Sequence, residues 1–204
     1  MPLACYNVDM HEKTLLKIIS VFIFCLLCVT GTAESRGREV STGRDVPDID
    51  ITQLENKIHD LINKERAKKG LPALLMDKSL CRVARKYSQD MVERNFFSHR
   101  DPENRSFYDR YKAEGYACCI KTGGTTCLGA ENIAQANLYS SSFYKEGKLF
   151  HNWDTEEKIA ESVVKVWMNS KVHKANILTS YFKHQGIGVV FSDDGRAYVT
   201  ENFC

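Results

Sequence analysis

The 204-residue chain carries almost no net charge, with 28 Lys and Arg against 26 Asp and Glu for +2 at pH 7. A nucleic-acid surface needs many clustered cations to displace counterions, so nucleic acid is excluded as the partner class. A stable membrane span is not expected either, because spanning takes about 20 consecutive apolar residues and the run at 18–29 is shorter. There are no paired Cys-x-x-Cys knuckles, which weakens a structural zinc reading. A nucleophile elbow, a metalloprotease helix motif and a capped triad are all missing, so hydrolase chemistry of the common types has no signature. The chain has no internal repeat, no low-complexity tract and no regular βαβ alternation.

What is present begins with Lys13 and Lys17 ahead of the apolar run, followed by small residues at 30–33, the pattern of a cleaved secretory signal over 1–33. A start at Met10 instead of Met1 gives the tidier signal, since it drops Asp9 from the basic flank. Removing 1–33 takes away two basic and two acidic residues, so the charge is unchanged. Residues 34–51 are polar, with Gly37, Gly43 and Pro47 and no apolar periodicity, and read as a linker. Residues 52–204 suit a single domain, secreted and monomeric.

That domain keeps Cys81, Cys118, Cys119, Cys127 and Cys204, an odd number that allows two disulfides and a spare thiol in an oxidising compartment. A bridge from Cys118 or Cys119 to Cys127 is favoured, because the Gly-rich segment between them can turn the chain back.

Thr52 and Glu55 form a capping signature for a first helix with Leu54, Ile58, Leu61 and Ile62 on one face, ending at Gly70. Asp77 caps a second, with Leu80, Val83, Ala84, Tyr87 and Met91 inward. Ser106 and Asp109 cap a short third helix ending at Gly115. Thr155 caps a fourth, with Ile159, Val163, Val166 and Trp167 buried and an end near Ser170. Residues 139–154, rich in serine and aromatics, read as a long surface loop that could rim a groove through Phe143, Tyr144, Phe150 and Trp153. Alternation from Ile187 to Phe203 about an Asp193-Asp194-Gly195 turn predicts a β-hairpin. The sum is an α+β class, with helices covering a central antiparallel sheet.

The chemistry concentrates in three residues far apart in sequence: His99, Glu131 and His173. A carboxylate and two imidazoles can hold a divalent metal such as zinc or exchange protons. Two histidines are too few for tight zinc, so binding would be weak or completed by water. As a hydrolase, Glu131 would serve as base; as a structural tie, it would accept hydrogen bonds from the histidines. Asn132 and Ser170 complete the candidate cleft, Ser170 as a hydrogen-bonding spacer in preference to a nucleophile. His59 and His151 read as ordinary solvated or satisfied side chains.

Several motifs in order resemble the CAP superfamily, the SCP or pathogenesis-related-1 type of secreted domain in its compact prokaryotic form. They are Leu61-Ile62-Asn63 with Arg66, Gly70-Leu71-Pro72-Ala73-Leu74, Phe97-Ser98-His99-Arg100-Asp101-Pro102, Glu131-Asn132-Ile133-Ala134, Trp167-Met168-Asn169-Ser170-Lys171-Val172-His173-Lys174-Ala175-Asn176-Ile177-Leu178 and Gly186-Ile187-Gly188-Val189. The resemblance implies an α-β-α sandwich with a cleft of two histidines, here His99 and His173, and two acids, one of them Glu131. The second acid is missing from the tryptophan motif, where Ser170 follows Asn169, and Ala130 replaces the glycine that usually precedes the glutamate, a methyl expected to narrow the cleft floor. The family implies a non-enzymatic binding module for a small apolar ligand, such as a lipid, or for an extracellular protein or surface. The alternative is a metal-assisted peptide or ester hydrolase in the same cleft.

Overall fold

The computed structural model describes residues 48–204; the signal segment 1–33 and most of the 34–51 linker lie outside the described residues. The helices are α1 (Ile51–Ala67), α2 (Lys78–Glu93), α3 (Phe107–Ala113), α4 (Glu156–Asn169) and α5 (Lys171–Ile177). The strands are β1 (Leu75–Met76), β2 (Ile120–Thr122), β3 (Thr125–Cys127), β4 (Ala130–Asn137), β5 (Tyr139–Lys145), β6 (Lys148–Trp153), β7 (His184–Phe191) and β8 (Arg196–Phe203).

The central sheet runs β1-β7-β8-β4, antiparallel except for the short parallel pairing of β1 with β7. Side chains alternate across it with period two. One face, through Ala130, Ala134, Ile187, Val189, Val199 and Phe203, meets the apolar stripes of α1, α4 and α5 in the main core. The other face carries Ile133 and Tyr198 against Tyr87 and Met91 of α2. Gly186 and Gly188 let α2 lie directly on β7, since a Cβ at either would come within 2.2 and 2.1 Å of α2 backbone atoms. The result is a three-layer α-β-α sandwich.

The hydrophobic patterns hold with local corrections. Leu54, Ile58 and Ile62 are fully buried, as are Ile159, Val163 and Trp167, but Val166 is exposed and Ala160 takes its place inside. Asp77, Ser106 and Thr155 cap α2, α3 and α4, and Ser106 and Asp109 form a reciprocal capping box. The cap of α1 is Asp50 and not Thr52: its carboxylate accepts from the Gln53 N–H, and its own N–H donates to Glu156. The folded part therefore begins before residue 52. Glu55, expected at the cap, is buried instead, where it binds Arg85 and accepts from the Val189 N–H.

Two further expectations change. Residues 139–153 are not an irregular loop but the hairpin β5–β6, closed by Glu146-Gly147, both at positive φ (53° and 74°), the left-handed pair that a two-residue turn uses. The disulfide joins Cys118 to Cys204, not Cys118 or Cys119 to Cys127. The reason is register: β2 pairs with β3 so that Ile120 faces Cys127, which turns the Cys127 side chain into the main core, while Cys119 is exposed. The Cys127 sulfur donates to the Gly129 carbonyl at 3.8 Å, and Cys81 is a buried thiol.

Candidate functional site

Glu131 sits near the start of β4, the edge strand of the sheet, with its side chain on the α2–α3 face. Gly129 delivers the chain there at φ 101°, where a Cβ would lie 2.5 Å from the Phe203 carbonyl oxygen. Both carboxylate oxygens are engaged: Oε2 accepts from Arg110 Nη2 at 2.5 Å and Oε1 from His99 Nδ1 at 3.0 Å. Because a carboxylate paired to a guanidinium only accepts, His99 carries its proton on Nδ1 and leaves Nε2 free. Arg110 comes from α3, stacks over the Tyr87 ring at 3.3 Å and also donates to the Arg105 carbonyl. Glu131 is buried, whereas the His99 side chain is 45% exposed.

His173 arrives from the opposite layer, on α5, and its ring centre lies 6.0 Å from that of His99. The two imidazoles thus meet around the open edge of β4. That edge is covered on the α4–α5 side: Trp167 Nε1 donates to the Ile133 carbonyl and Asn176 Nδ2 to the Glu131 carbonyl. These bonds satisfy alternate carbonyls that an edge strand otherwise leaves unpaired. Burial, and next the nearby His99, hold the His173 imidazole below its ordinary pKa, so its neutral form is favoured.

Asn132 and Ser170 are drawn into structure. Asn132 is wholly buried on the other face, donating to the His173 carbonyl and to Glu201 and accepting from Asn176. The Ser170 hydroxyl caps α5 by accepting from the His173 N–H, which commits it to the helix start. The Ala130 methyl does not narrow the cleft floor: strand alternation turns it into the main core, on the face opposite Glu131.

The residues that sequence reasoning missed are Arg110 and Glu201. Arg110 has a sequence signal only in hindsight, as a cation on the inner face of a short capped helix. Glu201 is a second acid near the site, on β8 opposite Asn132, yet it is fully buried and does not open to the cleft. Burial pushes its carboxyl well above the ordinary range, against the weaker opposing pull of Asn132 and Arg66.

Among the described residues no three His, Cys, Asp or Glu side chains group to hold a metal ion. With Glu131 spent on Arg110 and His99, the donors left are two imidazoles. Such a set fits a weak, water-completed divalent site and does not fit catalytic zinc, which takes three protein ligands.

Phe143, Tyr144, Phe150 and Trp153 are not brought to the trio. Their hairpin springs from the far end of β4, where Asn137 lies six residues, or about 20 Å, from Glu131. The exposed apolar residues nearest the two histidines in sequence are Phe97, two positions before His99, and Val172, immediately before His173.

Residues 59–203 match the CAP family, described as the cysteine-rich secretory protein family. The chain is 37% identical over 142 residues to the protein YkwD of Bacillus subtilis, spanning 70% of this chain and 44% of that one. It is 34% identical over 152 residues to the B. subtilis membrane protein YlbC, spanning 74% of this chain and 34% of that one. The match thus takes up less than half the length of these curated relatives. Among solved structures, an extracellular protein containing an SCP domain from Bacillus anthracis aligns with a TM-score of 0.55 at 26% identity, over 74% of this chain and 40% of that chain. An outer surface protein of Borrelia burgdorferi aligns with a TM-score of 0.55 at 19% identity, over 76% and 94%, and so shares the fold. The spread of the family match over both histidines and the glutamate, on an α-β-α sandwich common to these structures, establishes that this chain belongs to the CAP family.

Proposed function

We propose that this is a secreted, non-enzymatic binding domain that takes a small apolar ligand at the opening between His99 and His173. The observation that carries the reading is the double engagement of Glu131. A general base must reach a water, and this carboxylate is buried, its side chain 1% exposed, with Arg110 and His99 standing on its two oxygens. Ser170, the remaining nucleophile candidate, caps α5. What faces solvent is the His99 edge, and Phe97 and Val172, close to the two histidines in sequence, are exposed apolar residues. A divalent metal would bind weakly there, on His99 Nε2 and a His173 nitrogen.

A fluorescent fatty-acyl probe and libraries of fluorogenic peptides and esters test the reading together. Saturable probe binding, weakened in Phe97→Ser and Val172→Ser, with no turnover, is the expected result. Turnover that disappears in Glu131→Gln would establish the hydrolase instead. For the metal, zinc at a hundredfold excess over its dissociation constant raises stability by about 2.7 kcal/mol, and His99→Ala and His173→Ala each remove the shift. A wild-type melt indifferent to zinc above the imidazole range removes metal from the account.

A further inference from the structure

The densest group of exposed apolar side chains among the described residues is not at the cleft but on the β5–β6 hairpin, where Phe143, Tyr144, Leu149 and Phe150 are 45%, 76%, 49% and 37% exposed. We propose that the outer half of this hairpin is a docking surface for an anionic lipid bilayer. The surface is distinct from the cleft and goes beyond the ligand reading.

Register supplies the first argument. Phe143 faces Phe150 across the ribbon and Tyr144 faces Leu149 on the next rung, so successive rungs place apolar pairs on opposite faces. Phe143 and Phe150 stack with centroids 5.7 Å apart, a flat plate on one face, while Tyr144 and Leu149 stand on the other. A rigid protein surface covers one face of a two-stranded ribbon. A lipid interface yields around both. Two rungs extend about 7 Å along the strand, within the roughly 5–10 Å to which interfacial segments bury.

Charge supplies the second. Lys145 and Lys148 stand directly opposite each other beyond the apolar rungs, and neither has an ion-pair partner among the described residues. Like charges opposed across a ribbon are destabilising, and Glu146 in the turn offsets only one of them. Lipid phosphates supply the missing counter-charge, since lysine stems lie along apolar surface while their ammonium groups reach the headgroups. Below the apolar rungs come Ser141, Ser142, His151 and Asn152, a polar band suited to the waterline. The base is held: Tyr139 and Trp153 pack beside the Gly195 turn, and Tyr139 stacks on His151 at 4.2 Å.

The test uses the full chain and vesicles of phosphatidylcholine with and without phosphatidylglycerol. Co-sedimentation with the anionic vesicles is expected to fall by about tenfold or more when Phe143→Ser and Phe150→Ser are combined. Lys145→Glu with Lys148→Glu is expected to remove the preference for anionic over neutral vesicles, and His99→Ala to change neither, which separates this surface from the cleft. A local readout is the Tyr144→Trp variant, whose added emission is expected to be quenched by brominated lipid in anionic vesicles. Unquenched emission, or a Phe143→Ser, Phe150→Ser variant that sediments like the parent, overturns the proposal. A concentration-dependent dimer that these two substitutions abolish, without vesicle binding by the parent, also overturns it and assigns the surface to a second copy of the chain.

Discussion

The two ends of strand β4 solve the same problem in opposite ways. At the Glu131 end the carboxylate and its backbone carbonyl are answered from inside the protein: Arg110 and His99 take the carboxylate, Asn176 takes the backbone carbonyl, and the Cys118–Cys204 bridge lies beneath Gly129. At the Asn137 end the chain runs out into a ribbon whose strands pack chiefly on each other and whose aromatics face water. The first end shows solvent little beyond the partly exposed His99 beside His173. The second is a surface that offers itself. The site end is thus fixed by buried charge pairing, and the hairpin end by contacts mostly within the ribbon itself.

The largest expected effect tests the wiring. Arg110→Ala leaves the Glu131 carboxylate buried with only His99 beside it, and breaking such a pair costs about 3–5 kcal/mol. Adding Glu131→Gln to that variant is expected to recover a large part of the loss, because the uncompensated charge goes with it. Denaturant melts of the two single variants and the double variant measure the coupling. If Arg110→Ala melts like the parent, the Glu131 end is no better wired than the hairpin end.

Next in size is the disulfide. Cys118 and Cys204 are 86 residues apart, so the bridge closes a long loop in the unfolded chain. Cys204→Ser is expected to cost about 2–4 kcal/mol. Cys127→Ser serves as a comparison of a different kind, since that sulfur fills core space without closing a loop. Non-reducing peptide maps that link Cys127 to Cys118 or Cys119 would refute the assignment.

The layers were legible in the sequence because period and capping are local. Apolar spacing marked α1, α2 and α4, Ser106 with Asp109 marked α3, and the turn after Phe191 marked β7–β8. His99, Glu131 and His173 were legible through motifs in order, and the structure does bring them together. What was not legible depends on register and on distance. Whether Cys118 meets Cys127 or Cys204 follows from Ile120 facing Cys127, which no spacing encodes. Arg110 joins Glu131 from 21 residues away on another element. The hairpin was hidden because three serines and a Glu-Gly turn resemble a loop more than the Asn-Gly signal of a strand pair. Its aromatics were expected to rim the cleft, whereas the extended strand β4 carries the chain about 20 Å from Glu131 before the hairpin begins.

A smaller effect, of opposite sign, comes from Glu201. Its folded-state pKa is raised by burial, so its contribution to stability is fully present below the unfolded carboxylate value of about 4.3 and is lost as pH rises toward the raised folded value. Glu201→Gln removes the titration and is expected to stabilise the domain at neutral pH by on the order of 1 kcal/mol. The gain should shrink as the pH is lowered to 4, which melts across that range record. A loss at pH 7 as large as that of Arg110→Ala would mean that Glu201 is an indispensable partner of Arg66, and that the two acids near β4 are wired alike.

The smallest effect is expected at the hairpin, and its smallness is the point. Ser141 pairs with Asn152, and Asp154 N–H donates to the Leu138 carbonyl, so the base closes without the outer strands. Replacing residues 142–151 by Asn-Gly gives the favoured two-residue turn between Ser141 and Asn152 and keeps Tyr139 and Trp153 beside the Gly195 turn. An isolated two-stranded ribbon is at best marginal in water, so its outer part contributes little to the folded state. The shortened chain is expected to melt within about 0.5 kcal/mol of the parent, to retain the zinc and acyl-probe behaviour of the cleft, and to lose affinity for anionic vesicles. A shortened chain that unfolds would mean that the hairpin supports the domain, and the contrast between a wired end and a free end of β4 would fail at its free end.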